Sequence, residues 1–173
     1  DGGYTAGQLL SAGVRPDQLK GVISCDDIAK THDTSIPVAQ LKSLGCSAEQ
    51  LRLAGYTAKQ LKDAGYCADD LKKAGYDAAD LLNAGFSPKE LHDAGYSAAA
   101  MRAAGVSASE LKKAGYSPSE LIKAGYTPGD LIRAGYNSSE LAGTGADAEL
   151  AKRIKNGESC QQLRKEGYSA AQL

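Results

Sequence analysis

Residues 107–116 read Ser-Ala-Ser-Glu-Leu-Lys-Lys-Ala-Gly-Tyr, and close variants of this ten-residue unit follow one another over residues 46–141. Gly recurs every ten residues from Gly45 to Gly135, and Leu stands six residues after each Gly except at Met101. The period never slips within this region. A strict short period predicts a repeat array, because one such unit cannot bury its own apolar side and needs neighbours to do so.

Each unit carries the start and stop signals of a short helix. With Ser107 as position 1, Glu110 at position 4 completes a capping box, and Tyr116 at position 10 supplies a hydrophobic staple to the next helix. Several units have Pro at the first helical position and Lys or Arg in the last turn, as helix starts and ends prefer. Gly115 at position 9 suits the left-handed residue after a helix. The unit therefore predicts a helix of about seven residues, roughly 10 Å long.

The capping boxes follow one rule, a Ser or Thr cap with Glu, Asp or Gln three residues later. The predicted pairs are Ser47 with Gln50, Thr57 with Gln60, Ser87 with Glu90, Ser107 with Glu110, Ser117 with Glu120, and Thr127 with Asp130. Acidic residues at this position are therefore interpreted as caps and not as paired catalytic carboxylates.

A helix of about seven residues is not stable alone in water, so its order must come from stacking. The first helical residue, the Leu and the Ala before Gly lie three residues apart and form one narrow apolar stripe, as in Ala58, Leu61 and Ala64. We therefore predict an all-α solenoid of short capped helices in ten-residue repeats. The predicted repeat core consists of Leu61, Leu71, Leu81, Leu91, Leu111, Leu121, Leu131, Tyr66, Tyr76, Tyr96, Tyr116 and Tyr126. The predicted helix stops are Gly65, Gly75, Gly85, Gly95, Gly115 and Gly125.

The alternative fold is a right-handed quadrilateral β-helix, because the sequence also resembles the pentapeptide-repeat family. The Ala-Gly-Tyr half of the unit fits that pattern, with a small residue two before an apolar centre. The Leu half does not, because Glu49, Lys59, Asp69 and Lys89 stand two residues before a Leu and would point charge into a narrow core at several kcal/mol apiece. The caps and these charges favour the helical solenoid.

Composition excludes several classes of function. A net charge of −1 and a pI near 6.2 provide no field for nucleic acid or an anionic membrane. His32 and His92 are the only histidines, and neither lies in a zinc-ligand spacing. We expect no enzyme activity, no cofactor and no metal site.

Three of the four cysteines are spaced by 21 residues, close to two units: Cys25, Cys46 and Cys67. If two units make one turn of the array, these residues lie near one edge, and two of them could form a disulfide in an oxidising compartment. Each one stands where other units have a staple or cap residue, which favours free, half-buried thiols. Cys160 has no evident partner.

The whole chain, residues 1–173, is interpreted as a single repeat solenoid with two irregular joints, which we expect to be a segment of a longer protein. Residues 30–37 form an insert rich in turn residues, and residues 46–141 are the regular repeats. The second joint, residues 143–157, breaks the phase and includes a longer predicted helix over 147–155.

The run Tyr56-Thr-Ala-Lys-Gln-Leu-Lys-Asp-Ala-Gly-Tyr66 and its copies resemble the decapeptide-repeat region of the DotG (IcmE) family of the Dot/Icm type IVB secretion system. The resemblance covers nearly the entire chain. It implies repeats in the periplasm, within a protein that has a single inner-membrane anchor and a channel-forming end domain. It implies no catalytic residues and no direct membrane contact from the repeats.

Two functions are open at this point. The first is a structural spacer or wall in the periplasm, in contact with other secretion-system subunits, copies of itself and translocated effector proteins. The second is a protein-binding module that docks a partner or substrate on its solenoid face. Near-uniform repeats favour structure, and the two irregular joints are the places where we expect a docking partner.

Overall fold

Each ten-residue unit of the regular region folds into one short helix followed by a tight turn. The computed structural model describes residues 4, 6–19, 21, 24–32, 34, 36–145, 150, 153, 156, 158–166 and 168. Across that part of the chain the regular structure is helical and no strand occurs. The predicted all-α solenoid of ten-residue repeats is confirmed, and the β-helix alternative is wrong.

The helices of the described residues are nearly all six or seven residues long. In the first half of the chain they are α1 (Ala6–Ser11), α2 (Pro16–Leu19), α3 (Cys25–Thr31), α4 (Val38–Leu44), α5 (Ala48–Leu53), α6 (Ala58–Asp63), α7 (Ala68–Lys73) and α8 (Ala78–Asn83). In the second half they are α9 (Pro88–Asp93), α10 (Ala98–Ala103), α11 (Ala108–Ala114), α12 (Pro118–Lys123), α13 (Pro128–Arg133), α14 (Ser138–Leu141) and α15 (Cys160–Lys165).

Capping boxes are confirmed at all six predicted sites, at the starts of α5, α6, α9, α11, α12 and α13. In α11, for example, the Glu110 amide donates to Ser107 Oγ over 3.3 Å and the Ser107 amide donates to Glu110 Oε2 over 2.9 Å. Two orphan amides of the first turn are therefore satisfied within the unit itself.

A Schellman motif ends each regular helix. After α5 the Gly55 amide donates to the Arg52 carbonyl over 2.9 Å, and the Tyr56 amide donates to the Leu51 carbonyl over 3.0 Å. Gly55 has a φ of 96°, a left-handed conformation that L side chains rarely adopt. The position-10 Tyr thus closes one helix and stands immediately before the cap of the next.

Stacking occurs between helices that are two units apart. The chain divides into two compact units, residues 1–86 and residues 87–173. In the first unit, α2 packs on α4, α3 on α5, α5 on α7 and α6 on α8. In the second unit, α9 packs on α11, α10 on α12, α11 on α13 and α12 on α14. The structural period therefore spans two repeats and is twice the period of the sequence.

The core of each compact unit is a row of position-5 side chains, one from each ten-residue repeat. Leu61, Leu71, Leu81, Leu91, Met101, Leu111, Leu121 and Leu131 are all completely buried. Ala at position 2 and the aromatic residue at position 10 fill the space beside them, with Tyr66, Tyr76, Tyr96 and Tyr116 buried and Tyr126 half-buried. No helix among the described residues has both the length and the apolar character that crossing a membrane demands.

Two leucines of α5 allow the effect of core packing on stability to be measured separately from the effect of helix propensity. Leu51 is 1% exposed and Leu53 is 53% exposed. We expect Leu51→Ala to lower the free energy of unfolding by about 2–5 kcal/mol, because it removes buried methyl groups and leaves a cavity. Leu53→Ala in the same helix should change it by about 0.5 kcal/mol or less. Urea unfolding monitored by circular dichroism measures both, and equal effects would contradict the stacking arrangement.

Candidate functional site

The contacts between stacked helices are the most specialised chemistry in this chain. Among the residues that the structure describes, no group of three or more His, Cys, Asp or Glu side chains is placed to hold a metal ion. What recurs instead is a set of bonds between side chains of one repeat and the backbone of the repeat two units away. Positions 6, 9 and 10 of the ten-residue unit each have their own part in this set.

The tyrosine hydroxyl at position 10 donates to the backbone carbonyl of position 10 in the repeat two units earlier. The bonds run from Tyr56 to Ile36 (2.8 Å), Tyr66 to Cys46 (2.6 Å), Tyr76 to Tyr56, Tyr116 to Tyr96 (2.6 Å), Tyr126 to Val106 and Tyr136 to Tyr116 (2.5 Å). These carbonyls lie in the turns, where no helix ladder satisfies them. The tyrosine thus joins successive turns of the array by its ring and by its hydroxyl.

The cation at position 6 reaches in the opposite direction along the chain. Lys42 Nζ lies 3.1 Å from the Ala64 carbonyl oxygen, 2.7 Å from that of Gly65 and 4.7 Å from the centre of the Tyr66 ring. One ammonium group therefore binds the negative end of a helix and the face of an aromatic ring together. Lys112 makes the corresponding contacts with the Gly135 carbonyl and with the Tyr136 ring, whose centre is 4.4 Å away.

The position-9 glycine leaves room for this cation and also permits the turn. A Cβ built on Gly65 would lie 3.2 Å from Lys42 Nζ, and one on Gly85 would lie 3.2 Å from Lys62 Nζ. Any larger residue would crowd the bound ammonium group in addition to straining the backbone. The sequence identified these glycines as helix stops, and nothing in the repeat pattern alone revealed their contact with a cation from two repeats earlier.

Burial changes the acidity of the tyrosines. It raises the pKa of Tyr76, Tyr116 and Tyr136 from the usual 10 to about 12, because the phenolate would lose its hydration. The capping carboxylates shift the other way. Hydrogen bonds from the side chain and the backbone amide of Ser107 lower the pKa of Glu110, and Ser117 has the same effect on Glu120. These carboxylates are held ionised as caps.

Cys25 and Cys46 are joined by a disulfide, with their Cα atoms 5.4 Å apart. The expectation of free thiols is wrong for this pair. Cys46 stands at position 10, so its side chain faces the preceding turn in the way a tyrosine would, and Cys25 lies in α3 at the other end of that contact. A covalent bond between two turns thus replaces the tyrosine hydrogen bond. Cys67 and Cys160 are free and exposed, so Cys67 is neither half-buried nor a disulfide partner.

The first irregular joint follows α3. Helix α3 ends at Thr31, and His32 is exposed in a left-handed conformation with a φ of 49°. Ile36 is buried, and its carbonyl accepts the Tyr56 hydroxyl, so the joint is tied to the regular array. A shallow groove of about 350 Å³ lies here, between the residues before α4 and the end of α6. Its lining includes Thr34, Ile36, Pro37, Val38, Ala39 and Asp63.

The second irregular joint and the residues that follow it explain two departures from the repeat in α13. Position 3 is Gly129, where a Cβ would lie 2.8 Å from the Glu166 carbonyl oxygen, so only Gly permits this approach. Position 6 is Ile132, which packs on Leu150, Leu163 and Tyr168 where several other repeats have a cation.

Arg153 links this joint to the residues that follow it by two ion pairs. Its guanidinium lies 2.5 Å from a Glu158 carboxylate oxygen and 2.8 Å from one of Glu166. Most of the helix predicted over 147–155 falls outside the described residues, as does the end of the chain after Tyr168.

Repeated short helices, each stacked by the same side-chain bonds on the helix two units away, define an α-solenoid repeat protein. Residues 29–98 and 83–148 match the family described as the decapeptide repeat region, and the two matches together span more than half of the chain. The chain therefore belongs to the decapeptide repeat family. No curated protein and no solved structure matches it.

Phe86 offers a natural comparison for the tyrosine bond, since it occupies position 10 without a hydroxyl. We expect Tyr116→Phe to cost about 1–2 kcal/mol, because it removes the donor to the buried Tyr96 carbonyl. Phe86→Tyr should increase stability by up to about 1 kcal/mol by donating to the Tyr66 carbonyl. Chemical denaturation of both variants is the measurement. A Tyr116→Phe protein as stable as the parent would show that the hydroxyl contributes nothing.

The raised tyrosine pKa values predict alkaline unfolding. The pKa of Tyr76, Tyr116 and Tyr136 is about 12 in the folded chain and near 10 when unfolded, so the folded state retains these phenolic protons more tightly. Their contribution to stability is complete below pH 10 and is lost as the pH rises from 10 to 12. Urea midpoints at pH 9 and pH 11.5 test the loss. Tyrosinate absorbance separates it from lysine titration, because a late-titrating class should appear only in the folded protein.

Proposed function

We propose that this chain is a structural spacer in a bacterial type IV secretion complex, in the part that lies in the periplasm. Its mechanism is mechanical: it sets a distance or builds a wall between the inner-membrane part of the machine and its outer part. It acts together with other secretion-system subunits and copies of itself, and translocated effector proteins pass it. It carries out no chemical reaction.

One observation carries the proposal, namely that the repeated polar side chains are used inside the array. The Tyr hydroxyl at position 10 and the cation at position 6 are the most chemically distinctive groups of the unit, and both bind backbone carbonyls of a neighbouring turn. The caps at positions 1 and 4 bind each other. A spacer requires fixed order between its turns, and the repeated side chains that provide this order are bonded within the array.

The surface and the cysteines support the same assignment. Exposed charges pair within single helices, as in Lys59 with Asp63 and Lys73 with Asp69, which leaves a mixed, nearly neutral surface. A disulfide between Cys25 and Cys46 suits an oxidising compartment such as the periplasm. The resemblance of the repeat to the DotG (IcmE) family is the reason for choosing a secretion complex over other envelope structures.

A second candidate function is protein binding, and the groove at the first irregular joint favours it. This groove has an apolar lining from Ile36, Val38 and Ala39, with the Asp63 carboxylate at its edge. A spacer and a binding module differ in whether length or local sequence matters, and variants of the chain can separate the two.

The decisive experiment uses two chromosomal variants in the bacterium that carries the gene. One deletes residues 107–126, a full structural period, so that every contact register is kept and only length changes. The other replaces residues 107–126 with a copy of residues 47–66, which keeps length, both tyrosines and the stacking column but changes the exposed side chains. We expect the deletion to reduce effector translocation and assembly of the complex, and the replacement to leave both near normal.

A matched control addresses the binding alternative. Ala39→Lys adds a charge at an exposed position of the groove and leaves the core untouched. Normal translocation after the deletion would refute the spacer function. Loss of translocation in Ala39→Lys, with the deletion harmless, would instead establish the binding function.

A further inference from the structure

His92 takes the place of a lysine or arginine in the series of cations that bind between turns. Position 6 is occupied by Lys42, Arg52, Lys62, Arg102 and Lys112 in other repeats whose contacts with a turn ahead are described. In the repeat over residues 87–96 the same position is His92. Histidine is the one side chain whose ordinary charge change falls between pH 5 and 8.

The imidazole of His92 lies in the same slot that the permanent cations fill. Its ring packs edge-on against the ring of Tyr116, two repeats ahead, with centroids 4.4 Å apart and an interplanar angle of 75°. Its Cε1 atom lies 3.6 Å from where a Cβ on Gly115 would be. Lys112 has the same relation to Tyr136 and Gly135, also two repeats ahead. In both repeats the slot is thus formed by a left-handed glycine and a tyrosine ring.

A neutral imidazole does only part of what the other residues do in this slot. It has no charge to interact with the ring face or the helix end, and its Nδ1 atom is buried without a hydrogen bond. Protonation gives the ring a positive charge and makes both nitrogens donors. The slot then contains a positive charge, which Lys42 and Lys112 supply permanently in their own repeats.

The charged groups around His92 are mostly acidic. On its own helix α9, Asp93 Oδ1 lies 3.5 Å from Nδ1, Lys89 pairs with Asp93 over 3.2 Å, and Glu90 belongs to the capping box.

The helices after it add two more carboxylates and two lysines. From α11 come Glu110, held by Ser107, together with Lys113 and Lys112, which is directed forward to Gly135. From α12 comes Glu120, whose pKa is lowered chiefly by Ser117 and also by the charge of His92. Carboxylates therefore interact with His92 from its own helix, at Asp93, and from α12, at Glu120.

We propose that protonation of His92 strengthens the contact between α9 and α11. The charged imidazole then binds the Tyr116 ring and the adjacent helix end, as lysine does elsewhere in the array. The other position-6 side chains that bind a turn ahead, where those contacts are described, are Lys or Arg and hold their charge throughout the neutral range. Among these junctions, the one at His92 has a strength that depends on pH.

The test compares urea unfolding of the full chain at pH 8 and pH 5.5. For the parent we expect the ratio of folded to unfolded protein to rise about three- to tenfold on acidification, which is the size of a cation–aromatic interaction that only the folded state makes. His92→Lys should be as stable at pH 8 as the parent is at pH 5.5, with no pH dependence. His92→Gln should also lack the dependence but stay at the lower level. The ring signals of Tyr116 in NMR spectra should shift with pH in the parent and not in His92→Gln.

His32 is the matched control, because it is the only other histidine and is exposed at the end of α3. His32→Gln should retain the full pH dependence of the parent. The proposal is overturned if the parent shows no rise in stability on acidification, if it becomes less stable, or if His92→Gln keeps the pH dependence. Since the parent protein alone can give the first two results, the test does not depend on any variant folding.

Discussion

The shortness of the helix is the constraint on which the whole structure depends. A helix of one or two turns cannot persist alone, so each one needs complete local capping and a neighbour on which to stack. The chain meets the local requirement within each unit, by a capping box at the start and a Schellman motif at the end. It meets the tertiary requirement with side chains that reach the repeat two units away. Neither set would produce order without the other.

Position 10 is where these requirements meet. The Tyr116 amide completes the Schellman motif of α11, its hydroxyl bonds the Tyr96 carbonyl, and its ring receives the side chain of His92. The same residue directly precedes the cap of the next helix, where the sequence predicts a hydrophobic staple. One residue therefore closes a helix by its amide and joins two turns by its side chain. The second role explains why an aromatic residue recurs there with so few exceptions.

Several exceptions to the repeat are informative because they have a local physical reason. Cys46 replaces the tyrosine bond by a disulfide to Cys25, next to the first irregular joint. Gly129 and Ile132 differ from the consensus, and these differences allow residues near the end of the chain to pack closely on α13. These departures from the consensus accompany a joint, a covalent bond or a titratable group. Such positions, and not the consensus, are where regulation and partner contacts should be sought.

The sequence by itself determined the local structure of this protein. Helix starts, stops and the six capping boxes could be read from it, because capping depends on residues three or four apart and the ten-residue period repeats the evidence many times. It also identified the position-5 leucines and position-10 tyrosines as the apolar side of each unit. What only the tertiary structure decided is the pairing of repeats two units apart. That pairing places Lys42 against Gly65, Cys25 against Cys46, and His92 against Tyr116. The ten-residue pattern is compatible with any number of units per turn, since every unit looks alike, and side chains of alternate repeats become neighbours only when the stacking geometry is fixed.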